Sequence, residues 1–440
     1  MKRRKFLQAS LGAGAGILLL SQKSAAAQPA SVDDDLNVAV IGAGIQGRAL
    51  AGAAVALPNL RFRAICDVWG YSRRVAGYFL KRYKHEPNEY TDYQEMLAKE
   101  EDLDAVIVAT PDFLHAEHTN ACLKAGLNVY CERTMSNSLD AAKSMVQTAR
   151  ETGKLLEIGY QRRSNPRYQH VHEKLLGKAK LLGRITQTRG QWSQPARDDI
   201  GWPKRFAIPD EELKRYGYDS MHQFRNWRSY KRTGGGPFAD YGAHHVDVVD
   251  WLLDAKPKSV LAAGGIDYYD TREWYDNVTA IVEYATPDGA VRGTFQVLTA
   301  TSGDGVHSFQ HVMGDDGSIR MSENPKWTAI YREAHAPDWD QWVSEGYLKR
   351  PEAAERSKPA TSEEEHVRET GGLVQLELPV VLDKPVHQPH LANFFDAIRG
   401  KAKLNCPADE AYKTEVVVHK VNEAIAAGKA VAIEPADFDV

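Results

Sequence analysis

Cysteine is scarce in this chain, which has four among its 440 residues. Cys66, Cys122, Cys131 and Cys406 show neither the spacing of metal ligands nor a framework of close pairs. Cys66 and Cys131 lie in apolar runs, where a thiol is most often a small buried hydrophobic side chain. The sequence therefore predicts no zinc site and no essential disulfide.

An excess of charge of either sign is also lacking, because the formal net charge is −4 and charged residues make up 26% of the chain. Binding to nucleic acid usually requires a basic field, which this composition does not supply. We therefore expect a small-molecule substrate and no nucleic-acid partner. The length exceeds what one hydrophobic core usually holds, so two domains are expected.

Long apolar runs are missing except near the N-terminus. Lys2-Arg3-Arg4 precedes an apolar run that ends at Leu20, and Ala25-Ala26-Ala27 follows it. This pattern is typical of a twin-arginine export signal, and the run is too short to cross a bilayer with ease. We expect residues 1–27 to be removed and the folded protein to be periplasmic or otherwise extracytoplasmic, with no membrane span after cleavage.

The most informative motif is Gly42-Ala43-Gly44-Ile45-Gln46-Gly47, which closes an apolar run and opens a helix-like segment. Gly42 permits a tight turn, Gly44 lets the backbone approach a pyrophosphate, and Gly47 lets the helix pack close to the strand. The free N–H groups at the helix start, around Ile45 and Gln46, suit the anion. In this context the motif predicts a dinucleotide site.

Asp67 supports that prediction, since it lies twenty residues after Gly47, at the end of a second apolar run. A carboxylate at this position accepts hydrogen bonds from ribose hydroxyls and repels a 2′-phosphate. The sequence therefore favours NAD as the cofactor. Arg73 and Arg74 follow closely and leave NADP open.

Short apolar runs alternate with helical patterns from residue 36 to about residue 157, which is typical of a parallel sheet covered on both faces. We expect a doubly wound Rossmann domain over residues 34–158. Strands are predicted at 36–42, 60–67, 103–110, 127–132 and 155–160, and helices at 46–57, 72–83, 91–99, 115–125 and 138–152.

Longer alternating runs follow, which predict an α+β domain over residues 159–440 with an open mixed or antiparallel sheet. The stretch 194–233 has no clear periodicity and predicts a long excursion, and 350–370 predicts a surface loop. The alternating runs are 183–193, 259–269, 276–285, 291–300 and 307–321, and helices are predicted at 240–253 and 409–427.

A second motif carries candidate chemistry. After Gly234-Gly235-Gly236, the residues Asp240, His244 and Asp247 fall on one face of a predicted helix. Two carboxylates beside one imidazole hold the ring in a single tautomer and raise its basicity, which suits a general base. The alternative is that Asp240 only caps the helix and His244 is a satisfied core histidine.

These motifs together resemble the Gfo/Idh/MocA family. The resemblance rests on the glycine motif, on Thr110-Pro111 with His115 after it, on Cys131-Glu132 and on the pattern at 234–247. It covers nearly the whole mature chain. It implies a Rossmann domain joined to a substrate domain on an open mixed sheet, homo-oligomeric assembly, and oxidation or reduction of sugars and cyclitols with NAD or NADP.

The resemblance also implies roles for single residues. His244 becomes the acid/base for a substrate hydroxyl, with Asp240 beside it in substrate binding and Asp247 in a supporting position on the substrate side. Arg162 is expected near the substrate, although Arg162 and Arg163 also suit interdomain salt bridges. Residues expected near the cofactor are Thr110, Pro111, His115, Glu132 and Gln161.

One position departs from the family pattern. Where the family usually has Glu-Lys-Pro, this chain has Glu132-Arg133-Thr134. A buried lysine can pass a proton, whereas arginine stays charged at any working pH. We expect Arg133 to anchor or polarise a hydroxyl, and the missing proline lowers the expectation of a cis peptide at this turn.

Trp192, Trp202 and Trp227 offer apolar faces to a sugar ring, but tryptophan is more often a core or subunit contact. Three functions stay open. The first is an exported NAD(P)-dependent oxidoreductase that acts on a hydroxyl of a sugar, glycoside or cyclitol. The second is a redox-neutral, NAD-dependent glycosidase or lyase with a retained cofactor, and the third is a non-catalytic exported sugar-binding protein.

Overall fold

The structure is a computed structural model that describes residues 35–351 and 373–440. The export signal predicted at 1–27 lies outside these ranges, as does most of the loop predicted at 350–370. Of the helices in the described part of the chain, none combines the length and the apolar character that a membrane crossing requires. All four cysteines are buried and free.

The first half is a parallel sheet with helices on both faces, as predicted. Its strands are β1 (Leu36–Ile41), β2 (Leu60–Cys66), β3 (Asn88–Tyr90), β4 (Ala105–Val108), β5 (Asn128–Cys131) and β6 (Leu156–Ile158). Its helices are α1 (Ile45–Ala54), α2 (Gly70–Lys81), α3 (Tyr93–Lys99), α4 (Asp112–Lys124) and α5 (Leu139–Thr152). The strand order β3-β2-β1-β4-β5-β6 reverses between β1 and β4. In doubly wound sheets, ligands bind at the carboxyl ends of the strands at that reversal.

Burial on both faces explains why these strands are almost continuously apolar. Every residue of β4 is buried, because helices cover both sides of the parallel sheet. Side chains that point to one face, such as Ile41 and Val108, belong to a core that continues into the second half of the chain. Val38 and Val40 point to the opposite face, where a smaller core forms.

The second half is a mixed sheet, as predicted. Its strands are β7 (Ile185–Ser193), β8 (Lys256–Gly265), β9 (Asn277–Thr286), β10 (Gly289–Leu298), β11 (Ser308–Gly314), β12 (Gly317–Met321), β13 (Ala329–Arg332), β14 (Val374–Leu376) and β15 (Val431–Ala432). Their order is β14-β13-β12-β11-β7-β10-β9-β8-β15. In the described ranges β7 and β10 pair in parallel, and the other neighbouring strands pair antiparallel.

Helices cover one face of this sheet and leave the other open. The helices of this half are α6 (Pro166–His170), α7 (Asp210–Arg215), α8 (Met221–Arg225), α9 (Ala243–Leu253), α10 (Asp340–Ser344), α11 (Gln388–Ile398) and α12 (Ala408–Ala427). Val246 in α9 and Val417 in α12 share a core with Val278 and Phe295 of the sheet. The side chains of β8 and β9 alternate between buried and exposed, as expected for a sheet with one open face.

Several elements differ from their predicted form. The run 307–321 is two strands, β11 and β12, joined through Asp315 and Asp316. The helix predicted from residue 240 begins as a π-helical turn, Phe238–Gly242, which leads into α9. Helix α11 packs Leu391 and Phe394 into the smaller core of the first sheet, a contact between the two halves of the chain that the sequence did not predict.

Candidate active site

The glycine turn after β1 leaves the start of α1 open. Gly44 is the N-cap of α1, and no side chain in the described ranges accepts a hydrogen bond from the free N–H groups there. A Cβ on Gly47 would lie 1.8 Å from the carbonyl oxygen of Gly42, whereas a Cβ on Gly44 would meet no atom within 4 Å. Helix and strand therefore need glycine for close packing, and open space lies beside Gly44. These features fit the pyrophosphate of a dinucleotide.

Asp67 stands beside this turn, just after β2. Its Oδ2 accepts a hydrogen bond of 2.8 Å from the backbone N–H of Ala43, and its Oδ1 accepts one of 2.8 Å from Trp69. Burial raises the pKa of the Asp67 carboxyl, while these N–H groups, Arg73 and Arg48 favour its charged form. The carboxylate is thus fixed in place, with acceptor capacity left for ribose hydroxyls.

The arginines that left NADP open are held by protein groups. Arg73 donates a hydrogen bond from Nη1 to the backbone carbonyl of Asp67. The guanidinium of Arg74 lies 5.1 Å from the ring centre of Phe206. Both side chains are thus held by contacts with the protein, Arg73 at the Asp67 carbonyl and Arg74 over the Phe206 ring.

Glu132 connects the loop after β5 to the start of α1. Its Oε1 accepts a hydrogen bond of 2.8 Å from Nε2 of Gln46, and its Oε2 accepts one of 3.1 Å from the backbone N–H of Arg133. The predicted cofactor residues Gln46 and Glu132 therefore lie together at one edge of the crevice. The peptide between Arg133 and Thr134 is cis, contrary to our expectation.

His115 has partners that the sequence did not predict. Its ring nitrogens each lie 2.7 Å from a carbonyl oxygen, Nδ1 from that of Thr134 and Nε2 from that of Thr110. Although burial alone lowers its pKa, Cys131, Asp112 and the Thr134 carbonyl raise the pKa to about 10. Both ring nitrogens are therefore used by backbone carbonyls, and a contact of His115 with the cofactor stays a prediction. His115 ties the turn Thr110-Pro111, at the carboxyl end of β4, to the loop after β5.

His244 lies in the first turn of α9, and 3% of its surface is exposed. The ring of Trp192 stacks on it, with ring centres 5.8 Å apart and planes 12° from parallel. Its Nδ1 is buried without a hydrogen-bond partner among the described residues. Burial, with Arg133 and Arg162 nearby, holds its pKa well below the usual value for histidine. The imidazole is therefore neutral and able to accept a proton.

Asp240 faces a pocket one helical turn before His244. Its Oδ1 lies 3.2 Å from Nη1 of Arg133, and its Oδ2 lies 3.2 Å from Nε of Arg228. Although burial opposes ionisation, Arg228 and Arg133 hold the pKa of Asp240 below its usual value. Asp240 therefore lies at the pocket wall, and its ion-pair partners there are two arginines.

Asp247 is buried away from the pocket. Its Oδ1 lies 2.8 Å from Nη2 of Arg163 and 3.5 Å from the hydroxyl of Thr414. Two predictions are therefore wrong: Asp247 does not face a substrate, and neither Asp240 nor Asp247 hydrogen-bonds His244. Arg163 forms a buried salt bridge, but its partner Asp247 belongs to the same predicted domain, 159–440.

Arg162 and Gln161 begin the segment that crosses from the first sheet to the second. Arg162 is buried, and its Nη2 donates a hydrogen bond of 3.1 Å to the hydroxyl of Ser308. Its Nε lies 3.4 Å from Oε1 of Glu323, and Nε2 of Gln161 donates to the same oxygen at 3.4 Å. Arg162 also lies 5.8 Å from the ring centre of Trp192. Arg162 therefore packs against Trp192, the residue that stacks on His244.

Trp192 and Trp227, both predicted to face the substrate, lie in different places. Trp192 packs between His244 and Tyr241, whose ring centre is 5.1 Å away. Trp227 and Trp202 instead join an aromatic cluster around Trp69. Trp192 therefore lies beside His244. Trp227 packs with the Trp69 cluster, and its ring centre lies 4.1 Å from the guanidinium of Arg228, a residue of the pocket beside Asp240.

We call residues 202–227 the aromatic bridge. This part of the predicted excursion contains α7 and α8, and its side chains pack with Trp69. The indole N–H of Trp69 donates a hydrogen bond of 2.5 Å to the carbonyl of Phe206. The sequence of this stretch shows no helical periodicity, so its two short helices were not predicted. Aromatic packing stabilises them.

The pocket beside Asp240 includes residues that sequence reasoning missed. The nearest signal was the cluster of aromatic and basic residues in 194–233, which contains Arg228. Arg272 and Trp274 follow β8 in the chain and had no motif around them. Polar and aromatic side chains that line the pocket are Asp112, Gln194, Arg228, Tyr241, Arg272 and Trp274.

Comparison with known proteins identifies the class first. Residues 36–160 match the oxidoreductase family with an NAD-binding Rossmann fold, so the protein is an NAD-dependent oxidoreductase. Residues 171–320 match the GFO/IDH/MocA C-terminal domain. The chain belongs to the GFO/IDH/MocA family, as the resemblance implied, and NAD is its cofactor. Membership in this family favours an enzyme over the sugar-binding alternative.

Individual relatives are distant. The uncharacterized oxidoreductase YrbE of Bacillus subtilis is 21% identical over 408 residues, which are 90% of this chain and 96% of YrbE. D-glucoside 3-dehydrogenase of Escherichia coli is 28% identical over 225 residues, 51% of this chain and 56% of that protein. A levoglucosan dehydrogenase solved with NADH has a TM-score of 0.67 at 17% identity, covering 91% of this chain and 99% of the other. This likeness shows the shared fold.

Proposed function

We propose that the protein oxidises a hydroxyl group of a sugar, glycoside or cyclitol, or reduces the corresponding ketone, with NAD. The observation that carries this proposal is the buried imidazole of His244, which stacks on Trp192 and follows Asp240, a residue of the pocket wall, by one helical turn. The activities named for D-glucoside 3-dehydrogenase and levoglucosan dehydrogenase support the substrate class.

In this proposal His244 transfers the proton, and Arg133 and Asp240 orient the substrate. NAD, when bound, supplies the two-electron acceptor at the carbon that bears the hydroxyl. His244 accepts the hydroxyl proton at Nε2, and the pKa held low by burial keeps the ring ready at neutral pH. Arg133 stays charged and donates hydrogen bonds toward a substrate oxygen, while Asp240 orients its guanidinium.

A substrate screen tests this proposal. Purified protein is given NAD and a panel of glycosides, free sugars and inositols, and NADH is followed by its absorbance. We expect NADH to form with at least one member of the panel in amounts equal to the ketone produced. Binding of NAD without oxidation of any member, and without reduction of the matching keto sugars by NADH, would contradict it.

A redox-neutral cleavage is the second candidate. The aromatic bridge packs on the loop that carries Asp67, and a nucleotide covered in this way is more readily recycled in the site than exchanged. NAD, when bound, would accept a hydride from the alcohol carbon, whose hydroxyl proton goes to His244. The ketone acidifies the neighbouring C–H, a base removes that proton, and the glycosidic C–O bond breaks as the leaving oxygen takes up a proton. Water then adds, and the same two electrons return to the ketone. Many turnovers without an added oxidant support this candidate, and accumulation of NADH equal to product supports net oxidation.

We propose export by the twin-arginine route on the strength of Lys2-Arg3-Arg4 and the apolar run that follows. This route carries folded proteins, which allows NAD to be loaded before export. Replacement of Arg3 and Arg4 by lysine tests it. The unchanged chain is expected in the periplasmic fraction and the variant in the cytoplasm, and equal distribution of the two contradicts the proposal.

We further propose that the open face of the second sheet associates with another copy of the chain. The exposed side chains of Leu261 and Ile281, 50% and 41% accessible, support this assembly. Sedimentation of the unchanged chain and of Leu261→Lys with Ile281→Lys provides the test. We expect an oligomer that the paired substitution dissociates, and a monomeric unchanged chain contradicts the proposal.

A further inference from the structure

The aromatic bridge, residues 202–227, contacts the loop that carries Asp67. Trp69, two residues after Asp67, donates its indole N–H to the carbonyl of Phe206 at 2.5 Å. The ring of Phe206 lies 5.1 Å from that of Tyr71, and the guanidinium of Arg225 lies 4.8 Å from the centre of the Trp69 ring. The bridge therefore rests on the loop after β2.

The same segment also contacts the start of α4, after β4. The ring of Tyr218 meets the ring of Phe113 edge to face at 5.7 Å. Just beyond the bridge, the backbone N–H of Gly235 donates a buried hydrogen bond of 2.9 Å to Oδ2 of Asp112. These contacts hold the segment at a second point, on the far side of the glycine turn.

Because of the strand order, these two contacts lie on opposite sides of the glycine turn. Strand β1 lies between β2 and β4, and the three strands are parallel, so their carboxyl ends share one edge of the sheet. The glycine turn 42–47 follows β1 and lies between the two points of contact. From this geometry we infer that the aromatic bridge spans the dinucleotide crevice and retains NAD, so that the nucleotide stays bound through many catalytic cycles.

Packing of the bridge indicates that it opens rarely. Trp69, Leu213 and Tyr218 are almost completely buried where the bridge meets the loop after β2. Opening would expose these large apolar surfaces together and break the hydrogen bond between Trp69 and Phe206. Release of the nucleotide is therefore expected to be slow and to depend on these contacts.

This inference concerns the cofactor and goes beyond the proposed sugar chemistry. Where that proposed function holds, a retained nucleotide has to be reoxidised in the same site. A ketone formed earlier in the cycle, or a second carbonyl substrate, accepts the two electrons. Retention thus favours redox-neutral turnover over release of NADH.

Release of NADH measures retention directly. The protein is loaded with NADH and mixed with excess NAD, and the loss of NADH fluorescence from the bound state gives the release rate. Phe206→Ala removes the ring that packs on Tyr71, and Trp69→Phe keeps an aromatic ring but removes the indole N–H. We expect about tenfold faster release in Phe206→Ala, as for loss of one aromatic contact, and a smaller increase in Trp69→Phe.

Tyr78→Ala is the matched control, because Tyr78 lies on α2 near Arg74 but 70% of it is exposed, outside the bridge. Its release rate should equal that of the unchanged protein. The inference is overturned if the unchanged protein exchanges NADH within the mixing time, or if both bridge variants, folded by circular dichroism, release it at the control rate. No sugar is present, so failure of the sugar screen leaves this test intact.

Discussion

The two ends of the nucleotide crevice are lined by different kinds of side chain. At the Asp67 end, one carboxylate is surrounded by aromatic side chains such as Trp69 and Phe206. At the His244 end, Arg133, Asp240 and Arg228 place charges around a pocket. Aromatic packing contributes binding and closure, whereas buried charges cost desolvation energy and are best explained by chemistry on a substrate.

The variant His244→Asn distinguishes most clearly between the catalytic role of the His244 end and the cofactor-binding role of the Asp67 end. The substitution removes the base but leaves the Asp67 end unchanged, so oxidation should fall by a factor of about 10² to 10⁴. Affinity for NADH, measured by fluorescence titration, should stay the same. Full turnover in this variant would show that the base is elsewhere.

Asp240→Asn and Asp247→Asn compare two carboxylates on the same helical face. Asp240 contacts pocket arginines, so its loss should lower kcat/KM about tenfold to hundredfold with little change in melting temperature. Loss of Asp247 leaves Arg163 buried without its partner, and the free energy of unfolding should fall by about 3 kcal/mol.

Steady-state kinetics and chemical denaturation distinguish the two variants. The opposite pattern, with catalysis sensitive to Asp247 and stability sensitive to Asp240, would reverse our assignment of their roles. Equal effects of both on both measurements would mean that the pocket and the buried ion pair act as one network.

Sequence reasoning worked where a local pattern matches a local structure. The glycine motif and Asp67 predicted the crevice because turn geometry and strand ends fix those residues within a few positions of each other. The alternating runs predicted the open sheet, since strand pairing preserves the period of two. Single elements such as α11 were missed because their packing partners lie far away in the chain.

The candidate site was harder to predict, because its partners come from distant segments. Helical spacing predicted Asp240 and His244 on one face, but it carried no information about Arg228, whose Nε lies 3.2 Å from Oδ2 of Asp240. The partners of His115 were not predicted for the same reason. Two carbonyl oxygens, each 2.7 Å from the ring, use both of its nitrogens.

Asp67→Asn probes the other end of the crevice and should have a smaller effect than the pocket variants. The amide keeps the shape but loses the charge-assisted hydrogen bonds to ribose, so NAD affinity should fall about tenfold. Calorimetric titration with NAD and NADP checks this. An unchanged affinity for NAD would remove Asp67 from the cofactor site.

The pH dependence of kcat/KM should show the smallest effect, with almost no change between pH 6.5 and 8. His244 acts as a base only when neutral, and burial, together with Arg133 and Arg162, holds its pKa well below the usual value. Activity is therefore lost only when the pH falls well below 6.5. In Arg133→Gln the acid limb should move upward, since one of the charges that oppose protonation is gone. An acid limb at or above pH 6.5 in the unchanged protein would contradict the assignment of His244 as the base.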